Sequence, residues 1–290
     1  MELFKIHILG CGSALPTLQH NASSQVVEIR GKMFMVDCAE GTQTQLRRSK
    51  INFQRLQAVF ISHLHGDHCF GLIGMISTFG LMGRTAPLRI YGPKELGPVL
   101  DMLITTFCDK LSFEVVFLPV DTKTRAVVYE DRSLTVETIP LLHRVPCAGY
   151  LFREKPTLPH IRRDMIDFYG IPFSQINNIA NARLVTPADK PRSYAYCSDT
   201  RYVPDLWKEV EGVDVLYHES TYASDYADRA RMYFHSTAKE AAEVAKAAHV
   251  GKLLLGHYSA RYNDESKILK EARAVFPNSF LTKEGMTVFV

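Results

Sequence analysis

The sequence predicts an α/β fold in which two mixed β-sheets pack as a sandwich and helices flank them. Three observations carry this. Short apolar runs rich in β-branched and aromatic residues recur along the chain and stop at polar residues, as buried strands do. Helical segments alternate with these runs at both ends of the chain, while closely spaced strands in the middle read as antiparallel hairpins. Polar residues able to do chemistry recur immediately after strands, where open α/β sheets gather their sites.

Composition fits one domain spanning residues 1–290. The chain is 46% hydrophobic, carries a formal net charge of +3 and has a single Trp, which suffices for a substantial core. No segment approaches the apolar length of a membrane span. Met1-Glu2-Leu3-Phe4-Lys5-Ile6 reads as a strand start and not as a signal peptide. The six cysteines form no CxxC pair, so reduced thiols and a cytoplasmic location are expected.

The first strand, residues 5–9, ends in Gly10-Cys11-Gly12-Ser13, a turn suited to a tight loop near a ligand. No P-loop lysine follows, which excludes a phosphate-cradling loop. Residues 25–30 and 32–36 form a hairpin through Gly31 and end on Asp37. A helix is expected over 40–48.

The run Ala58-Val59-Phe60-Ile61 reads as a buried strand and opens onto Ser62-His63-Leu64-His65-Gly66-Asp67-His68. His63 and His65 are two apart, so in extended chain their side chains point the same way. Gly66 lets the chain turn and present Asp67 and His68 at a neighbouring point. Any one of these residues alone is as well explained by a core or a solvated loop. Three imidazoles and a carboxylate in six residues are a donor set for borderline divalent ions such as Zn²⁺, and they predict a metal site for two ions.

Next come an apolar helix over 70–82, a strand at 88–91, a helix over 94–107, strands at 113–118, 125–129 and 134–139, and His143. A strand at 147–152 follows. Residues 153–192 break the pattern: they hold five of the 14 prolines and no long apolar period. Seven basic against four acidic side chains leave this stretch a net +3, equal to that of the whole chain. Such an excursion suits a phosphate-rich partner.

Order returns with a strand at 193–197 leading to Asp199 and another at 213–217 leading to His218 and Glu219. His235 precedes Thr237 and Glu240, which are spaced as a capping box. Alanines at 238, 241, 242, 245 and 248 give the helix that follows a narrow packing face. A last strand at 252–255 delivers His257.

His63-Leu64-His65-Gly66-Asp67-His68 resembles the HxHxDH signature of the metallo-β-lactamase superfamily. Glu40-Gly41-Thr42, His218-Glu219-Ser220-Thr221, His235-Ser236-Thr237 and Gly256-His257 narrow the resemblance to its tRNA 3′-processing endonucleases of the short form. The resemblance implies an αβ/βα sandwich and a zinc enzyme that removes the 3′ trailer from precursor tRNA. A metal-bridging hydroxide would attack the phosphodiester and leave a 3′-hydroxyl on the tRNA. It implies two zinc ions per chain, although Mn²⁺ or Fe²⁺ can use similar ligands. His63, His65 and His143 would hold one ion, and Asp67, His68 and His257 the other, with Asp199 bridging. Asp67 would also orient the attacking water, Asp37 would steady the ligands, and a Glu219–His235 pair would protonate the leaving oxygen. His218 lies near the site without an assigned role. Residues 153–192 would be an inserted flexible arm that binds tRNA, with Lys155, Arg162, Arg163 and Arg183 as its contacts. The chain would be a homodimer with no membrane partner.

Two other readings compete. A hydrolase of the same fold acting on a small ester, sulfate or cyclic nucleotide would keep the ligands and need no basic arm. A metal-free RNA-binding relative would have no need of seven ligand positions.

Overall fold

The structure, a computed structural model, describes residues 3–15, 17–108, 110–157, 160–161, 166–168 and 185–290. It contains two seven-stranded mixed sheets and a two-stranded ribbon among these residues. The first half of the chain supplies β1 (Phe4–Gly10), β2 (Ser24–Ile29), β3 (Lys32–Cys38), α1 (Thr42–Arg48), β4 (Leu56–Phe60), α2 (Gly66–Cys69), α3 (Leu72–Leu81), β5 (Leu88–Pro93), α4 (Leu96–Phe107) and β6 (Val115–Val120). The second half supplies β7 (Val127–Glu130), β8 (Leu134–Pro140), β9 (Ala148–Glu154), β10 (His160–Ile161), β11 (Val185–Thr186), β12 (Ser193–Cys197), β13 (Val215–Glu219), α5 (Ala227–Tyr233), α6 (Ala238–Ala247), β14 (Lys252–Gly256), α7 (Ser266–Val275), β15 (Ser279–Leu281) and β16 (Thr287–Phe289).

Sheet one runs β16-β1-β2-β3-β4-β5-β6, and sheet two runs β15-β14-β13-β12-β9-β8-β7. In sheet one β3 to β6 are mutually parallel; in sheet two β12 to β15 are parallel. Strand β9 is antiparallel to both β8 and β12, so β8 ends in the same direction as the parallel strands. That places the residues following β8, β12, β13 and β14 along one rim.

Alternation of side chains sorts the core into two layers. Phe34, Val36, Ala58 and Phe60 pack inward against sheet two. Met33, Met35, Val59 and Ile61 pack outward beneath α1, α3 and α4. The inner layer is aromatic: Phe60 meets Tyr150 at 5.1 Å and Phe152 edge-on at 5.5 Å between ring centroids. Such pairs add about 0.5–1.5 kcal/mol beyond their buried area. The alanine face of α6 is buried throughout, and Thr237 and Glu240 close the expected capping box.

The helix expected over 70–82 forms as α3, and a separate short helix, α2, precedes it. Gly71 separates the two: its amide donates to the Cys38 carbonyl at 2.9 Å and does not continue α2, and only glycine fits there, since a Cβ would lie 2.0 Å from the Ala39 carbonyl oxygen. The short α2 therefore belongs to the histidine cluster itself. Elements α7, β15 and β16 lie beyond the predicted strands; β16 pairs antiparallel with β1, joining the chain's two ends. Within 153–192, β10 and β11 pair with each other, while Arg162, Arg163 and Arg183 lie outside the described residues. Among the described residues, no helix is long and apolar enough to cross a membrane.

Candidate metal centre

The polar residues that follow the strands meet at the common rim. His63 Nε2 stands 3.0 Å from His65 Nδ1, and His143 Nε2 stands 3.3 Å from that same atom. Asp199 Oδ2 lies 3.6 Å from His63 and 3.8 Å from His143. On the other side, His68 Nε2 and His257 Nε2 are 3.3 Å apart, and each is 3.5 Å from Asp67 Oδ2. Asp199 Oδ1 faces this second group, 3.3 Å from His68 and 3.1 Å from His257. One carboxylate thus turns one oxygen to each of two donor groups.

These separations fit bound cations. Donors about 2.0–2.1 Å from a tetrahedral ion stand roughly 3.3 Å apart, the middle of the observed range. The Asp199 Oδ1 atom is buried, and the groups that face it are the His68 and His257 nitrogens, which a shared cation would hold there.

The far nitrogens of the imidazoles are held as metal-binding histidines require. Asp37, fully buried at the end of β3, accepts from His68 Nδ1 at 2.7 Å, from Ser62 Oγ at 2.9 Å and from Tyr196 Oη at 2.8 Å on one oxygen. Its other oxygen accepts from the Ser62 amide at 2.8 Å. Ser62 Oγ in turn stands 3.0 Å from His63 Nδ1. His143 Nδ1 donates to the Phe234 carbonyl at 2.9 Å, and His257 Nδ1 reaches Thr221 Oγ1 at 2.8 Å. Each contact aims the opposite nitrogen into the site. Asp37 and His257 both adopt left-handed backbone, with φ of 56° and 60°, so local strain is held here by surrounding contacts.

Electrostatics agree with the geometry in the group of His63, His65 and His143; in the other group burial would lower His68, but the Asp199 and Asp37 charges push it well above its ordinary range. Burial pushes His63 well below its ordinary pKa, helped by His68 and His143 and opposed by Asp199. His65 and His143 are lowered by burial too, which favours in all three the neutral imidazole that a cation needs. Burial works against the Asp199 charge, but His257, His68 and His63 hold its carboxyl well below the usual range.

Glu219, at the end of β13, accepts from His235 Nδ1 at 2.8 Å and from Thr221 Oγ1 at 2.6 Å. Burial alone would lower His235, but the Glu219 charge and hydrogen bond outweigh it and push the imidazole up to about 9. His235 lines a cavity of about 480 Å³ together with Arg144, Arg229, Arg261, Tyr222 and Tyr233. A second cavity of about 400 Å³, on the His65 and Asp67 side, shares Ala14 and Arg144 with it. The site therefore sits between two recesses, one of them lined by three arginines.

Other predicted residues lie elsewhere. His218 is buried, its Nδ1 bonds the Glu219 carbonyl at 2.7 Å, and it belongs to neither donor group. The pleat turns it to the opposite side of β13 from Glu219. Lys155 donates to Glu130 at 2.5 Å, so its charge is already paired. Residues without a sequence expectation also matter. Ser62 adjoins His63 and Thr221 follows Glu219 by two residues, but Tyr196 and the Phe234 carbonyl have no local signal.

The β-lactamase superfamily domain model matches residues 32–258. Ribonuclease Z of Bacteroides fragilis is 54% identical over 302 residues, covering 99% of both chains. Ribonuclease Z of Phocaeicola vulgatus is 52% identical over 304 residues, covering 100% of this chain and 98% of the relative. Among solved structures, the short form of human tRNase Z matches with a TM-score of 0.75 and 26% identity over 98% of each chain.

Proposed function

This chain belongs to the β-lactamase superfamily and, within it, to the ribonuclease Z family; on that premise we propose that it is a metal-dependent endoribonuclease that removes 3′ trailers from precursor tRNA. The observation that carries the chemistry is Asp199, whose two oxygens face two separate histidine groups. We assign His63, His65 and His143 to one Zn²⁺ and Asp67, His68 and His257 to the other, with Mn²⁺ or Fe²⁺ as ions the same donors accept. When bound, such cations would lower the pKa of the attacking water and neutralise charge building at phosphorus.

This chain's own residues do the rest. Asp67, whose Oδ2 is fixed by the Ala14 amide at 2.7 Å, orients the water, whose proton passes to solvent. Attack at phosphorus forms a P–O bond to the water oxygen and breaks the bond to the ribose O3′. His235 delivers its Nε2 proton to that leaving oxygen, with Glu219 holding the imidazolium in place. The tRNA departs with a 3′-hydroxyl and the trailer with a 5′-phosphate. Arg144, Arg229 and Arg261 line the recess beside His235, where they would neutralise neighbouring phosphates.

The insertion over 153–192 is read as the tRNA-gripping arm, with Lys155, Arg162, Arg163 and Arg183 as contacts; Lys155 also pairs with Glu130 at the surface. The reading includes a cytoplasmic homodimer, which light scattering on the purified protein tests. The decisive experiment is incubation of the chain with a tRNA bearing a 3′ trailer, with product ends mapped. Cleavage leaving a 3′-hydroxyl is expected, and Asp199→Ala should lose both bound metal and turnover. An Asp199→Ala variant with full metal and normal cleavage would overturn the bridging assignment.

A further inference from the structure

The loop joining β1 to β2 carries a second convergence of ligand-type groups, outside the donor set described above. Cys11 follows β1, His20 closes the same loop, and Glu284 comes from the turn before β16. Cys11 Sγ stands 3.5 Å from His20 Nδ1 and 3.7 Å from Glu284 Oε1, while His20 Nδ1 stands 3.1 Å from Glu284 Oε2. A tetrahedral ion with bonds of about 2.3 Å to sulfur and 2.0–2.1 Å to nitrogen and oxygen has donor separations of roughly 3.3–3.6 Å.

Two further features point to a ligand and not only to an ionic contact. The other His20 nitrogen, Nε2, is 3.2 Å from Glu265 Oε1, the carboxylate partner that orients metal-binding imidazoles. Glu284 is itself fixed, since its Oε1 accepts from the Asn21 amide at 2.8 Å. The thiol is fully buried, whereas the His20 and Glu284 side chains keep 15% and 16% of their surface, leaving an ion a way in. An imidazolium held between Glu284 and Glu265 would explain the carboxylate contacts alone. Core packing accounts for the burial of Cys11, while its Sγ also faces the His20 nitrogen and the Glu284 oxygen at once.

We propose that Cys11, His20 and Glu284 form a cation site, separate from the one at the strand ends, for a borderline-soft divalent ion such as Zn²⁺. Binding expels the thiol proton and any proton on His20 Nδ1 to solvent. The ion would staple residues 11–21 to the segments that begin α7 and precede β16. That loop also carries Ala14, whose amide fixes Asp67 Oδ2 at 2.7 Å, so the staple would steady one wall of the reaction site.

Cobalt(II) titration of the full chain tests this without any RNA, so its outcome does not depend on the proposed nuclease activity. A cysteine thiolate bound to Co²⁺ gives a near-ultraviolet charge-transfer band that imidazole and carboxylate ligands do not. The wild-type chain should show the band, and Cys11→Ser should lose it together with about one equivalent of bound metal. Glu284→Gln, which keeps an acceptor for the Asn21 amide, should weaken that binding by roughly tenfold or more and covers the case in which Cys11→Ser fails to fold. A band that persists in Cys11→Ser, or cobalt bound by wild type without any such band, would overturn the site and leave an ionic latch.

Discussion

Replacing Asp37 by Asn tests whether a residue that touches no reacting atom sets metal affinity. The aspartate is fully buried and accepts four hydrogen bonds. The amide keeps the shape, but its nitrogen cannot accept. The least costly orientation turns that nitrogen toward the Ser62 amide, because the other oxygen receives three donors. One facing pair of donors then costs about 1–3 kcal/mol, and loss of charge from the remaining bonds adds about 1. With an unfolding entropy near 2.1 cal/mol/K per residue over 290 residues, a total of about 2–4 kcal/mol lowers Tm by roughly 3–7 °C. His68 would lose its anionic partner, and binding at the Asp67, His68 and His257 group should weaken about 10–100-fold, or about 1.4–2.7 kcal/mol. Calorimetry gives the first quantity and metal content after dialysis against graded chelator the second. A lower Tm with unchanged metal affinity would refute the argument and reduce Asp37 to a core hydrogen-bond hub.

Three further outcomes are expected. His235→Ala should keep its metal and cleave precursor tRNA about 10²–10⁴-fold more slowly; metal loss in that variant would place His235 among the ligands. Neutralising Arg162 and Arg163 should weaken precursor binding and reduce the slope of log affinity against log salt by roughly 0.7–0.9 per phosphate contact. Hydrolysis of bis(p-nitrophenyl) phosphate by that variant should be nearly unchanged, and equal loss on both substrates would assign the two arginines to the site's support. Burial disfavours the Asp131 charge, but Lys32 at 2.6 Å, the Ser133 amide and the Tyr129 hydroxyl together hold its carboxyl well below 3.8. A depressed carboxylate contributes stability above its unfolded pKa, and that contribution is lost as pH falls through the folded value. Asp131→Asn should therefore destabilise the chain at neutral pH, with the gap from wild type closing under strongly acid conditions; a gap independent of pH in denaturant melts would rule this out.

The donor set was legible because it is local. His63, His65, Asp67 and His68 occupy six residues after one strand, and a glycine at 66 and an apolar run at 58–61 are signals in the sequence itself. Asp37, His143, Asp199 and His257 were legible through a positional rule, each following a strand. Their pairing came from the family resemblance and not from spacing. Helix α6 was readable from Thr237, Glu240 and its alanines for the same reason: caps and faces depend on near neighbours.

What only the tertiary structure decided depends on contacts between distant segments. The break between α2 and α3 is set by the Cys38 carbonyl, which takes the Gly71 amide, and by the Ala39 backbone, which leaves room there only for glycine. The three-residue strands β15 and β16 are too short to declare themselves and exist through pairing with β14 and β1. Tyr196 reaches Asp37 from 159 positions away, and the Phe234 carbonyl orients His143 from 91. His218, adjacent to Glu219 in sequence, is parted from it in space because successive residues of a strand face opposite sides. Which oxygen of Asp199 serves which group follows from the docking of two sheets, and no pattern within either sheet carries it.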